Sequence, residues 1–238
     1  MIDIHCHILY GVDDGAKNIE ESLNMLEEAE SQGLTDVILT PHYRRTMFET
    51  PIETIETHFG ELQQMWQANP NRTLKLHLGC ECHIDSEAVE NFRSGRCKTL
   101  AGGSYVLAEY SHLSEFADIR RSADDLLMNG YTPVIAHAER YECLTRKLDR
   151  LDSLGRMGCM IQVNADSVLG LEGHAVKAFC KKLLKERMVD LIASDAHNLK
   201  DRAIHMKECY EYVKRRIDEA YADEVFRRNG LNVLFDIN

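Results

Sequence analysis

Ile2-Asp3-Ile4-His5-Cys6-His7 is a β-branched apolar run that ends in two histidines two positions apart. Residues two apart on a strand face the same way, so His5 and His7 aim together while Cys6 aims away. The pattern recurs along the chain. Apolar runs predict strands over 2–7, 36–40, 74–79, 105–109, 133–137, 160–164 and 190–194, with stretches of helical periodicity between them. About seven such units predict an α/β fold with a parallel sheet, a single barrel-like domain with helices between its strands.

The intervening stripes read as core-facing helices. Ile52, Ile55, Phe59, Leu62 and Trp66 recur at spacings of three and four, with Pro51 at the first helical position and Thr50 as the cap. Asn18 and Glu21 form a capping pair, and Gly33 marks the exit of that helix. Phe116, Ile119, Ala123 and Leu126 make another stripe ending at Gly130. Leu144, Leu148, Leu151 and Leu154 make a further one, as do Ala203, Met206, Tyr210, Val213 and Ile217.

No Pro/Ser-rich linker or low-complexity segment interrupts these units, so residues 1–238 read as a single domain large enough to bury one core. Apolar residues at 44% and charged residues at 28% are ordinary globular usage. No run approaches the about 18 apolar residues of a membrane helix, and Met1-Ile2-Asp3 lacks the basic and apolar regions of a signal peptide, so a cytoplasmic protein is expected. Its eight cysteines, at 6, 80, 82, 97, 143, 159, 180 and 209, form no CxxC pair and read as reduced thiols. A net charge of −11 argues against a surface built for nucleic acid.

Ionisable residues collect at the C-terminal ends of the predicted strands, the rim where α/β barrels build their sites. His5 and His7 end the first strand, and His42 follows the second in Thr40-Pro41-His42. Glu81 follows the third, Glu109 ends the fourth, His137 ends the fifth, and Asp195 and His197 follow the seventh. Only the sixth lacks an evident ligand. Mixed imidazole and carboxylate donors suit zinc, manganese or iron, and period two turns Cys80 and Cys82 away from Glu81. Asp14, Glu81, Glu109 and Asp195 set against three divalent ions would leave roughly two positive charges for a phosphate dianion.

These residues lie in motifs that resemble the polymerase and histidinol phosphatase (PHP) superfamily. Within it, they resemble the PHP-type protein-tyrosine phosphatases of bacterial capsule and exopolysaccharide operons. The motifs are Ile2-Asp3-Ile4-His5-Cys6-His7, Gly11-Val12-Asp13-Asp14-Gly15, Thr40-Pro41-His42, Gly79-Cys80-Glu81, Leu107-Ala108-Glu109-Tyr110, Ala136-His137-Ala138-Glu139-Arg140-Tyr141 and Ala193-Ser194-Asp195-Ala196-His197-Asn198. The resemblance covers nearly the whole chain and implies a distorted (β/α)7 barrel of the PHP type holding three divalent ions, with manganese favoured over iron, zinc or magnesium.

By matching position, the resemblance gives His5, His7, Glu81 and Asp195 to one ion, Glu81, Glu109 and His137 to a second, and Asp14, His42 and His197 to a third. Asp13 is the alternative to Asp14. Arg140 matches a substrate-phosphate position and joins Asp14 and His42 as a catalytic candidate, while Ala138 stands where the family often has proline. The implied substrate is a phosphotyrosine protein, a bacterial tyrosine kinase that governs polysaccharide export. Histidinol phosphate phosphatase, a metal-dependent exonuclease and a non-catalytic phosphoprotein-binding module are the rivals. The Cys209 to Arg215 spacing imitates a thiol phosphatase loop, but its intervening residues contain no glycine and fall on a helical stripe.

Overall fold

A computed structural model describes residues 1–237. Its strands are β1 (Ile2–Cys6), β2 (Asp36–Leu39), β3 (His42–Tyr43), β4 (Lys75–Leu78), β5 (Glu81–His83), β6 (Tyr105–Glu109), β7 (Thr132–Ile135), β8 (Met160–Asn164) and β9 (Leu191–Ala193). All pair in parallel, in the orders β1-β2-β4 and β3-β5-β6-β7-β8-β9. Pro41 has no N–H to donate and separates β2 from β3, while β4 and β5 part at Gly79-Cys80. Each broken pair continues one strand, because Gly79 N donates to Leu39 O at 2.8 Å and Glu81 N to Pro41 O at 3.1 Å. The nine segments thus make the seven strands expected.

The last strand returns to the first. Asp195 N donates to His5 O at 2.9 Å and His7 N to Ala196 O at 2.8 Å. Below them, Asp3 accepts from Ser194 N at 3.0 Å and from Ser194 Oγ at 2.5 Å. These bonds close the sheet into a distorted barrel of the kind the sequence implies.

Two apolar layers hold it. Ile4, Ile38, Leu107, Val134, Ala136, Leu191 and Ala193 fill the interior. The outer faces, with Val37, Leu39, Ala108, Ile135, Ile161, Val163 and Ile192, pack against helices. This strict alternation is what a sheet buried on both sides requires.

The helices are α1 (Ile19–Ser31), α2 (Ile52–Gln67), α3 (Ala88–Arg93), α4 (Phe116–Met128), α5 (Glu142–Thr145), α6 (Leu148–Met157), α7 (Ala165–Leu169), α8 (His174–Lys185), α9 (Met206–Arg216), α10 (Glu219–Asp223) and α11 (Asn229–Phe235). Val233 of α11 belongs to the interior cluster, so this helix packs against the barrel interior. Among the described residues, no helix is long and apolar enough to cross a membrane.

Local expectations meet the structure unevenly. Asn18 Oδ1 caps α1 by accepting from Glu21 N at 2.9 Å, as its spacing implies. Thr50 does not cap α2: its hydroxyl donates to Val12 O at 2.7 Å, and Pro51 occupies the cap position. The leucine stripe from 144 to 154 divides into α5 and α6 at Arg146-Lys147, and Ala203 precedes α9 instead of joining it. All eight cysteines are free thiols.

Candidate metal centre

A register slip in β1 sets the geometry of the site. Asp3 pairs with Val37 but Cys6 pairs with Leu39, so β1 spends one extra residue over this interval. Cys6 thereby joins the helix-facing core, and His5 and His7 turn to the inner side. Their Nε2 atoms stand 3.3 Å apart. Both lie 3.1 Å from Glu81 Oε2 and 3.5 Å from Asp195 Oδ1.

Three overlapping groups place one potential ligand atom per residue within 4.8 Å of one another: His5, His7, Glu81 and Asp195; His7, Asp14, His42 and His197; and His42, Glu81 and Glu109. His137 meets the other oxygen of the shared carboxylate, its Nε2 lying 2.8 Å from Glu81 Oε1. All nine residues named from the strand ends and loops therefore surround one place. The difference lies in the second set, where His42 stands beside Glu81 and Glu109 and His137 touches Glu81 alone.

The donor set fits divalent cations. Glu81 Oε2, His42 Nδ1 and His197 Nε2 are buried without a hydrogen-bond partner. Glu81 Oε2 and His42 Nδ1 are only 3.0 Å apart, yet they do not line up as donor and acceptor. Buried polar atoms are otherwise almost always satisfied. Burial disfavours ionisation of Glu81 and Asp195, but His5 and the other facing cations outweigh it and hold both well below the usual carboxylate range. Burial likewise lowers His5 and His7, and is outweighed for His5 by Glu81 and Asp195 and for His7 by Asp13, so both rise. The cluster is thus rich in buried negative charge that a bound cation can balance without protonating an imidazole.

The two adjacent aspartates part company. Asp13 Oδ2 accepts from His7 Nδ1 at 2.7 Å and His42 N at 3.0 Å, and Asp13 Oδ1 accepts from Gly15 N at 2.9 Å. It orients the imidazole from behind. Asp14, 50% exposed at its side chain, puts Oδ1 3.5 Å from His197 Nε2 and 3.6 Å from His42 Nε2. Gly15 permits this turn, because a Cβ there would lie 2.1 Å from His7 O.

The sixth barrel strand, β8, supplies orientation. Gln162 Oε1 lies 3.2 Å from His5 Nδ1 and accepts from His137 N at 2.8 Å, while Gln162 Nε2 donates to Asn164 Oδ1 at 2.8 Å. Asn164 Nδ2 then donates to Asp195 Oδ2 at 2.8 Å. Sequence reasoning missed both amides, although Gln162 and Asn164 alternate with apolar Ile161 and Val163. Partners of this kind fix the tautomer and direction of ligating groups. Tyr141 adds another, with its hydroxyl 3.2 Å from His137 Nδ1.

Backbone strain also enters. His137 and Asp195 are non-glycine residues at φ +33° and +52°, past the ends of β7 and β9. Such conformations cost about 1–3 kcal/mol and persist where surroundings enforce them. The turn at Asp195, and not an extension of the last strand, brings Asp195 and His197 to the site together.

Two guanidinium groups grip Asp195. Arg140 Nη1 donates to its Oδ2 at 2.9 Å, and Arg202 Nη2 to its Oδ1 at 2.8 Å. Arg140 is also paired with Glu172. Arg202 lies beyond the motifs and gave no sequence signal. Glu139 is buried and accepts from Asn164 N at 2.9 Å, burial pushing its carboxyl up. Arg45 turns to Asp85 and Glu87, at 3.5 and 3.0 Å, and Arg44 exchanges backbone hydrogen bonds with Phe48.

Known proteins share this frame. The family described as capsular polysaccharide synthesis, CpsB/CapC, matches residues 1–235. Tyrosine-protein phosphatase CpsB of Streptococcus agalactiae is 34% identical over 239 residues, covering 98% of both chains. Tyrosine-protein phosphatase YwqE of Bacillus subtilis is 32% identical over 212 residues, covering 87% of this chain and 82% of its own. A crystal structure from work on YwqE of Bacillus subtilis and CpsB of Streptococcus pneumoniae, described as unique metal-dependent tyrosine phosphatases, superposes with a TM-score of 0.93 at 28% identity. It covers 100% of this chain and 96% of that one.

Proposed function

Because the chain belongs to the CpsB/CapC family of capsular polysaccharide synthesis proteins, we propose that it is a metal-dependent phosphatase that hydrolyses phosphotyrosine on proteins. Its substrate in this reading is a bacterial tyrosine kinase that regulates capsular or exopolysaccharide synthesis, met in the cytoplasm, with residues 1–238 acting as one unit. The observation that carries the reading is the meeting of His5 Nε2, His7 Nε2, Glu81 Oε2 and Asp195 Oδ1 around one point.

Three divalent ions, manganese favoured, would be held there: one by His5, His7, Glu81 and Asp195, one by Glu81, Glu109 and His137 with His42 beside them, and one by Asp14, His42 and His197. Bound ions of this kind supply a nucleophile at neutral pH and neutralise charge that builds on phosphate oxygens.

The chain's own groups do the rest. Arg140 and Arg202 exchange part of their hold on Asp195 for phosphate oxygens, to which a guanidinium presents forked donors. His197, whose Nε2 lies 3.5 Å from Asp14 Oδ1, is the largest influence holding Asp14 below the ordinary carboxylate range, so Asp14 stays ionised and does not protonate the leaving group. A tyrosyl leaving group needs little such help, because a phenol ionises near pH ~10. No cysteine nucleophile is required, and Cys209 is buried inside α9 with its thiol pushed well up by burial.

A substrate panel tests the proposal. Manganese-loaded protein should release phosphate from phosphotyrosine peptides in preference to histidinol phosphate, phosphoserine peptides and oligonucleotides. A preference for histidinol phosphate would reassign the enzyme, and failure to cleave any phosphomonoester would remove the enzymatic reading.

A further inference from the structure

We propose that Phe48 is a specificity-determining residue of this site, the apolar wall against which the aromatic ring of a phosphotyrosine substrate lies. The inference rests on the phosphotyrosine reading above and names the part of the chain that selects the aryl group.

The ring of Phe48 stacks on His42, with centroids 5.0 Å apart and planes 12° from parallel. His42 belongs to the open side of the cluster. Asp14, His42 and Glu109 have side chains 50%, 13% and 16% exposed, whereas those of Glu81, Asp195 and His197 are at 0%, 3% and 2%. A phosphate group entering from solvent meets that side first, so the group esterified to it projects past His42. The candidate ligands are carboxylates and imidazoles, and Arg140 and Arg202 are guanidinium groups, all of which serve the phosphate. Half-buried Phe48 offers a flat hydrocarbon surface, suited to another ring in an offset or edge-on contact and of little use to a serine or threonine ester.

Phe48 is also held in place. Arg44 N donates to Phe48 O at 2.8 Å and Phe48 N to Arg44 O at 2.7 Å, closing a tight loop in which Thr46 takes φ +66°. On one flank Thr50 Oγ1 donates to Val12 O at 2.7 Å, and His42 N donates to Asp13 Oδ2 at 3.0 Å, so the loop is tied to the one that carries Asp14. On the other flank Arg45 pairs with Asp85 and Glu87. A wall fixed before the substrate arrives loses little freedom when the substrate binds.

The test compares wild type, Phe48→Ala and Phe48→Tyr, all loaded with manganese. Calorimetry gives the affinities of phenylphosphonate and ethylphosphonate, which cannot be hydrolysed, and kinetics give kcat/KM for phosphotyrosine and phosphoserine. In Phe48→Ala the phenyl-over-ethyl affinity ratio should fall about 10-fold, with a matching fall in the aryl-over-alkyl kinetic ratio. Phe48→Tyr should keep both ratios. An affinity ratio unchanged in Phe48→Ala overturns the inference, whether both affinities fall together through a disturbed His42 or neither moves. Wild-type protein that cleaves phosphotyrosine but binds the two phosphonates equally also overturns it alone, whereas wild type that cleaves no phosphomonoester removes the phosphatase reading and this inference with it.

Discussion

His5 Nε2 and His7 Nε2 face each other at 3.3 Å. Two imidazole nitrogens this close can share one proton between them, and with a proton on neither their lone pairs repel unless a cation lies beside them. Glu81 Oε2 lies 3.1 Å from each and lacks a hydrogen bond of its own. The relationship depends on the extra residue in β1 between Asp3 and Cys6.

Gln162 holds both His5 and the backbone of His137, so Gln162→Leu leaves the His137 N–H unpartnered and His5 free to turn. Its affinity for manganese, measured by titration into chelator-treated protein, should fall about 10- to 100-fold while the circular dichroism spectrum is retained. Wild-type affinity in the variant would remove the orienting role given to β8.

Two glycines should respond in opposite directions to alanine. A Cβ at Gly15 would strike His7 O at 2.1 Å and His7 Cβ at 2.6 Å, whereas nothing lies within 4 Å of one at Gly60 inside α2. Gly15→Ala should lose about 1–3 kcal/mol and bind metal more weakly. Gly60→Ala should gain about 0.5–1 kcal/mol. Denaturant melts of both variants check the pair, and a stable, metal-competent Gly15→Ala would contradict the packing described for the Asp14 loop.

Arg140→Lys and Arg202→Ala test the grip on phosphate. Each substitution removes a forked donor that holds Asp195 while leaving all nine candidate ligands in the chain. The KM for a phosphotyrosine peptide should rise about 10-fold or more at unchanged metal content. An unaltered KM in both would mean that these arginines serve Asp195 alone.

Asp190 gives a pH dependence away from the centre. Burial pushes its pKa above 3.8, the ordinary value, although it accepts from Ile161 N at 2.7 Å. A carboxyl raised by folding costs stability above its folded pKa, and that cost fades as pH falls through the folded pKa toward the unfolded value. Asp190→Asn should therefore melt higher than wild type at pH 7, with the difference shrinking toward pH 3.5. A difference that grows on acidification would reverse the assigned sign.

The convergence of the candidate residues was legible because positions at strand ends follow simple rules. Apolar runs locate the strands, period two pairs His5 with His7, and barrel topology brings strand ends from 5 to 197 onto one rim. The slip in β1, the left-handed turns at His137 and Asp195 and the break at Gly79-Cys80 depend on partners distant in sequence, and no local pattern encodes them. Gln162 and Asn164 are neutral amides whose only signal is polarity on the inner face of a strand. Arg202 acts from a loop with no periodicity. Thr50 carries the composition of a cap, but the carbonyl of Val12, 38 positions away, claims its hydroxyl.

The most direct test is phosphate release from a phosphotyrosine peptide as manganese is returned to chelator-stripped protein. Stripped protein should be inactive, and the rate should climb with added metal to a plateau in wild type while staying near background in a Glu81→Gln variant. Full activity in stripped protein, or an equal plateau without the Glu81 carboxylate, would contradict a metal centre built on His5, His7, Glu81 and Asp195.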